Sequence, residues 1–153
     1  MSSTTTTQAH IAYELIGDIN PDVVAIEFLS QEIAGPLHAR ELGEQLDSLV
    51  RSDLPQHFVL DFGKVRSLGS TAFGEIVSFA RKVGRLYICN MQENLRLGSA
   101  LIGLDDCALF AASRRVAINW AKRAALRGEE DTVDYPASWV ESNAAIYHAS
   151  GSA

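Results

Sequence analysis

The residues with the clearest chemical potential lie in Lys64-Val65-Arg66-Ser67-Leu68-Gly69-Ser70-Thr71-Ala72-Phe73-Gly74-Glu75-Ile76. Two adjacent hydroxyls, Ser70 and Thr71, stand where an apolar β-rich run gives way to a helical pattern. A serine at a helix N-cap accepts a backbone N–H bond and stabilises the helix by about 1 kcal/mol. Thr71 can do the same. The geometry has a second use, because a helix start presents free N–H groups and the positive end of a dipole, which suit a phosphate. Phosphorylation there would add about −1.5 to −2 charges. The helix would tolerate that charge; a partner surface matched to a neutral, apolar loop would not. The residues alone leave cap and switch both open. Arg66 and Lys64 are near enough to shape recognition of a kinase or a phosphate, or are simply solvated loop charges.

Nucleophilic catalysis at Ser70 lacks its companions. Gly69-Ser70-Thr71-Ala72-Phe73-Gly74 is not the G-x-S-x-G elbow, because the second glycine comes one place late. His57 begins the strand that ends at Asp61, at the opposite end from Ser70, and His38 falls in the first helix. His10 and His148 lie at or beyond the domain edges, so no base faces Ser70. There is no P-loop lysine. No His, Cys and acid set has metal spacing, and Cys89 and Cys107 form no CxxC pair. Both cysteines read as buried free thiols. Asp61-Phe62-Gly63 matches a kinase triplet without any other kinase signature, and Asp61 is expected to cap or bond the following loop. The expectation is no enzyme, no catalytic residue, no metal and no cofactor.

The elements that must position Ser70 follow from periodicity. Residues 1–9 are Ser/Thr-rich and aperiodic, and are expected to be a disordered tail. IAYELIGDI and VVAIEFLS alternate and are joined by Asn20-Pro21-Asp22, which predicts a hairpin. Gly35-Pro36 opens a helix carrying Ala39, Leu42, Leu46, Leu49 and Val50, closed by Asp53-Leu54-Pro55. HFVLDF, 57–62, is a short buried strand. A second helix from about Thr71 to Val83 buries Ala72, Phe73, Ile76, Val77, Ala80 and Val83, with Gly84 as its stop. RLYICNM is a strand. Asn90 and Glu93 form a capping-box pattern for a third helix, with Leu97, Leu101 and Leu104 on one side. CALFA is a last strand, and Ser113 caps a fourth helix, 114 to about 127, with Val116, Trp120 and Ala124 inward. The parallel units from residue 57 on require crossovers, so the class is α/β. The sheet is expected to be mixed, with four to five strands, and to carry four helices mainly on one face. Domain limits of 10–127 follow, with 128–153 as an acidic tail that is disordered or lies on a partner.

Composition narrows the function classes. The chain has 153 residues, 47% hydrophobic and 21% charged, enough for one domain with a substantial core. No apolar run approaches the roughly 20 residues of a membrane span. MSSTTTTQ lacks a basic region followed by an apolar core, so no secretory signal is expected and the cytoplasm is the expected location. From Gly128 onward there are five acids and no Lys or Arg, leaving the rest of the chain nearly neutral. Without a clustered positive field, nucleic acid is not an expected partner.

The order of elements and the text FVLDFGKVRSLGSTAFGEI together resemble the STAS domain of bacterial anti-sigma factor antagonists and sulfate transporters. Val59-Leu60-Asp61-Phe62 matches the strand and its terminal acid. Val65 and Leu68 match the apolar loop positions, and Ser70-Thr71-Ala72-Phe73-Gly74 matches the Ser-Ser-Gly-Leu-Gly segment. LIGLDDCALF is similar to the stretch near the family's last strand. The likeness spans about residues 11–126. It implies a protein-binding regulatory module whose partner is a kinase-type anti-sigma factor or another switch protein. The phosphoacceptor would be Ser70, less so Thr71, and the partner contacts Arg66, Leu68, Gly69, Ala72 and Phe73. For Phe73 the residue itself reads more readily as core. The family's Asp before the serine is Gly69 here, and its second glycine is Ala72. Two other readings stand beside this one: a STAS-fold scaffold without a phospho-switch, self-assembling or homodimeric, and a small-ligand or nucleotide-binding domain using the helix start at Ser70.

Overall fold

The computed structural model describes residues 5–7, 10–17, 23–51, 56–83 and 86–127. In chain order the elements are β1 (Thr5–Thr7), β2 (Ile11–Ile16), β3 (Val23–Phe28), β4 (Glu32–Ile33) and α1 (Pro36–Asp47). They continue with β5 (His57–Asp61), β6 (Ser67–Leu68), α2 (Ser70–Val83), β7 (Leu86–Cys89), α3 (Glu93–Leu101), a 3₁₀ turn at Leu104–Asp106, β8 (Ala108–Ala111) and α4 (Arg114–Arg127).

The main sheet has the order β1-β2-β3-β5-β7-β8. β1, β2 and β3 run antiparallel, with Tyr13 opposite Ile26. β3, β5, β7 and β8 run parallel, with Ile26, Leu60, Ile88 and Phe110 in line across them. The expected α/β class, mixed sheet, opening hairpin and four helices are all present. Side chains alternate between faces. Val24, Ile26, Phe28, Phe58, Leu60, Leu86, Ile88 and Phe110 face α1, α2 and α3. Val23, Ala25, Val59, Tyr87, Cys89 and Ala111 face α4 through Ala117, Trp120, Ala121 and Ala124. Three helices therefore cover one face and one covers the other. β3, β5 and β7 are apolar on both faces because both are covered.

The structure departs from the sequence reading at five places. Thr5–Thr7 is an edge strand paired with β2, although residues 1–9 read as a disordered tail; β-branched threonines favour extended backbone, and β2 offers an open edge. α1 ends at Asp47 rather than running on through Val50. The Ser48 hydroxyl donates to the Gln45 carbonyl at 2.7 Å, and the Leu49 N–H turns to Leu46 at 3.1 Å, so the helix unwinds one turn early. Leu49 and Val50 still pack on the core from that turn. Asn90 does not cap α3: its φ is 62°, and its side chain bonds Asp61. Gln92 holds the cap position with no side-chain bond. The inward residues of α3 are Leu95, Arg96 and Ser99, whereas Leu97 and Leu101 point outward. Finally, the two-residue strands β4 and β6 form a separate parallel pair that periodicity does not announce. Ser113 does cap α4, accepting the Val116 N–H at 3.2 Å. The turn at Asn20-Pro21-Asp22, the break at Asp53-Leu54-Pro55, the stop at Gly84, and the acidic tail lie outside the described residues.

Candidate functional site

The path to Ser70 starts at the end of β5. Asp61 turns the chain by accepting the Gly63 N–H on Oδ1 at 2.9 Å. Val65, fully buried, anchors the loop in the core, and its N–H reaches the Phe62 carbonyl at 3.0 Å. Arg66 and Ser67 then donate their N–H groups to the Gln31 carbonyl at 2.7 and 3.1 Å. Ser67 and Leu68 pair with Glu32 and Ile33, and the Gly69 N–H donates to the Ile33 carbonyl at 2.8 Å. The β4–β6 pair thus ties the approach to α1 to the approach to α2. The Gly69 carbonyl accepts the Phe73 N–H at 3.0 Å, the first helical bond. Gly69 therefore holds the N-cap position and Ser70 is the first residue of α2. The cap role expected for Ser70 belongs to its neighbour, which has no side chain to perform it.

Ser70 and Thr71 are both exposed at this helix start, and the first turn of α2 has no acidic residue. Arg66 is exposed, and its carbonyl accepts from Asn94 of α3 at 3.4 Å. Lys64 lies 3.6 Å from Glu27. Leu68 and Gly69 are half-buried. Ala72 and Phe73 are 1% and 8% exposed, so a partner cannot reach them in this state. Two and three residues past Ser70, the helix has rotated them into the core. Phe73 packs under α3, where a Cβ on Gly98 would stand 3.3 Å from the Phe73 ring.

Behind the loop lies a polar set on the α4 face. Asp61 Oδ1 also accepts from Asn90 Nδ2 at 3.1 Å, and Oδ2 lies 3.4 Å from the Arg114 guanidinium. Arg114 reaches Glu14 as well, at 2.9 Å. Asp61 thus bonds the loop that follows it, as expected. Burial, with help from the Asp61 charge and against the pull of Arg114, pushes the Cys89 thiol up to about 12. That thiol is not a nucleophile at neutral pH. Among the described residues no three His, Cys, Asp or Glu side chains are placed to hold a metal ion. Nor is any helix among them long and apolar enough to cross a membrane.

The sequence reading missed the groove beside Ser70. A cavity of about 320 Å³ is lined by Ser70, Gly74, Val77, Ser78, Arg81 and Ile102. Its signal was present as small residues at 70, 74 and 78, a four-residue spacing that puts them on one helix face.

No protein-family model matches the chain, and a search of curated proteins gives no match. Solved structures do match. The Bacillus cell fate determinant SpoIIAA in its phosphorylated form superposes with a TM-score of 0.52 at 13% identity, over 78% of this chain and 98% of that one. A protein of the DUF3478 family from Shewanella loihica PV-4, described as having a SpoIIAA-like fold, gives 0.51 at 14% identity, over 76% and 98%. The fold is thus SpoIIAA-like, as the resemblance to the STAS domain implied.

Proposed function

We propose that this chain is a non-enzymatic regulatory module, similar to anti-sigma factor antagonists, that binds a kinase-type anti-sigma factor or another switch protein at the Ser70 end of α2. One observation carries the reading: Ser70 is exposed at the first position of a helix, on a SpoIIAA-like fold. A kinase can reach that hydroxyl, and the helix start accommodates the phosphate it would gain. The added charge would oppose a partner surface fitted to Leu68 and the rim of the groove, so phosphorylation on Ser70, less so on Thr71, releases the partner without refolding. Arg66 is the exposed cation nearest in sequence and would contribute to recognition. The cytoplasm is the compartment in which such a partner would be met.

The test is a pulldown from the native host with wild type, Ser70→Ala and Ser70→Asp, with intact mass read on the wild-type bait. A kinase-like partner held by wild type and Ser70→Ala, lost with Ser70→Asp, and accompanied by phosphate on Ser70, is the expected result. Equal recovery by all three without phosphate would overturn the switch.

A further inference from the structure

The groove on α2 is wider in function than its serine. Ser70, Gly74 and Ser78 form its floor, so no floor side chain is larger than serine's. A Cβ added at Gly74 would meet nothing within 4 Å. Val77 and Ile102 are its apolar lining, and Ile102 is 39% exposed. Arg81 closes the end away from Ser70; it is exposed and has no ion-pair partner among the described residues. The groove thus offers small polar and apolar side chains with a cation at one end.

We propose that the occupant is the chain's own acidic segment, residues 128–153. That segment has Glu129, Glu130, Asp131, Asp134 and Glu141 and no Lys or Arg, which complements Arg81. It also has Tyr135, Trp139, Val140, Ile146 and Tyr147, side chains that suit a floor of small residues and a wall of Val77 and Ile102. α4 ends at Arg127, and 26 residues follow it. Extended, they reach at most about 94 Å, more than enough to round a domain with a radius of gyration of roughly 15 Å. Tethering gives the segment an effective concentration of order millimolar, so even weak contacts fill the groove. Occupied in this way, the groove is covered up to Ser70. The consequence that the segment competes with a partner there rests on the proposed function; the docking itself does not.

The test uses the full chain labelled with 5-fluorotryptophan, which reports Trp120 and Trp139 separately by ¹⁹F NMR. Trp120, on α4, is buried against the sheet and serves as the internal control for folding. In wild type the Trp139 signal is expected to show a reduced solvent isotope shift between H₂O and D₂O. Ser78→Arg, which fills the floor from an exposed helix position, and Arg81→Glu, which reverses the end charge, are each expected to restore the full shift while Trp120 stays in place. A full shift in wild type overturns the proposal. So does a sheltered Trp139 that neither variant releases, since the segment would then lie elsewhere. Shelter lost on tenfold dilution would assign the groove to a second copy and also overturn it. None of these outcomes touches the Ser70 pulldown.

Discussion

Asp61 has both carboxylate oxygens engaged, one by Gly63 and Asn90 and the other by Arg114. Its place at a strand end made the loop bond legible from sequence. Its Asn90 and Arg114 partners were not, because 29 and 53 residues of chain separate them from it. Cys89 sits beside it with a thiol held near 12 against an ordinary 9.0. The unfolded chain therefore ionises first. The stability due to the neutral native thiol is whole below pH 9 and is lost as pH rises from 9 toward 12, by up to about 1.4 kcal/mol per pH unit. A Cys89→Ala chain should lose that part of the alkaline decline, as read from urea midpoints between pH 8 and 11. Cys107, read from the sequence as buried, is only half-buried, so with iodoacetamide at pH 8 intact mass should show no second adduct on the native wild type. Gly69 gives a prediction of the opposite sign. A Cβ there meets only ordinary contacts, the nearest at 3.5 Å from Ala34. Gly69→Asp, the residue the STAS pattern has at this place, would cap α2 and meet its positive end. It should raise stability by a few tenths of a kcal/mol; a lower melting temperature would refute the cap geometry.

At the scale of elements, α3 shows how a helix can mislead. The sequence put Leu97, Leu101 and Leu104 on one side of the helix, yet α3 buries Leu95, Arg96 and Ser99, and of the three leucines only Leu104, in the 3₁₀ turn beyond it, is buried. An arginine is a poor candidate for the inside until its partner is known. That partner is Asp105, at 2.7 Å in the 3₁₀ turn, with Ser99 bridging the two and the guanidinium stacked 3.6 Å over the Phe110 ring. The pair ties α3 to the start of β8. Removing one member leaves the other charged and buried. Asp105→Ala should therefore cost about 3–5 kcal/mol, measured as a shift in urea midpoint at unchanged slope. The double variant Arg96→Met, Asp105→Leu should recover most of that loss; a double variant as weak as the single one would mean the ion pair was not the cause.

Across the whole molecule, the two faces of the sheet differ in how many elements cover them. The alternation in β2 and β3, the short apolar runs of β5 and β7 and the order of helices made the layered α/β architecture legible. The two-residue pair β4–β6 and the three-residue β1 were not, since strands that short carry no period and exist through their neighbours. Yet the β4–β6 pair is what places Gly69 and Ser70, so the site was readable as a motif and not as a geometry. The face under α4 depends on one helix, anchored at its start by Arg114 to Asp61 and Glu14 and in its middle by Trp120. Trp120 stands edge-on to Tyr87 with centroids 6.5 Å apart. Among the described residues only α4 packs on this face, so few of their side chains can move in to fill the space that loss of the indole would leave. Trp120→Ala should cost about 3–5 kcal/mol. The loss should have a spatial signature as well. Amide hydrogen exchange should quicken in α4 before it quickens in α1 and α2, which pack on each other and on the opposite face. Uniform acceleration in all four helices would instead mean that the two faces open as one unit and that α4 is no weaker than the rest.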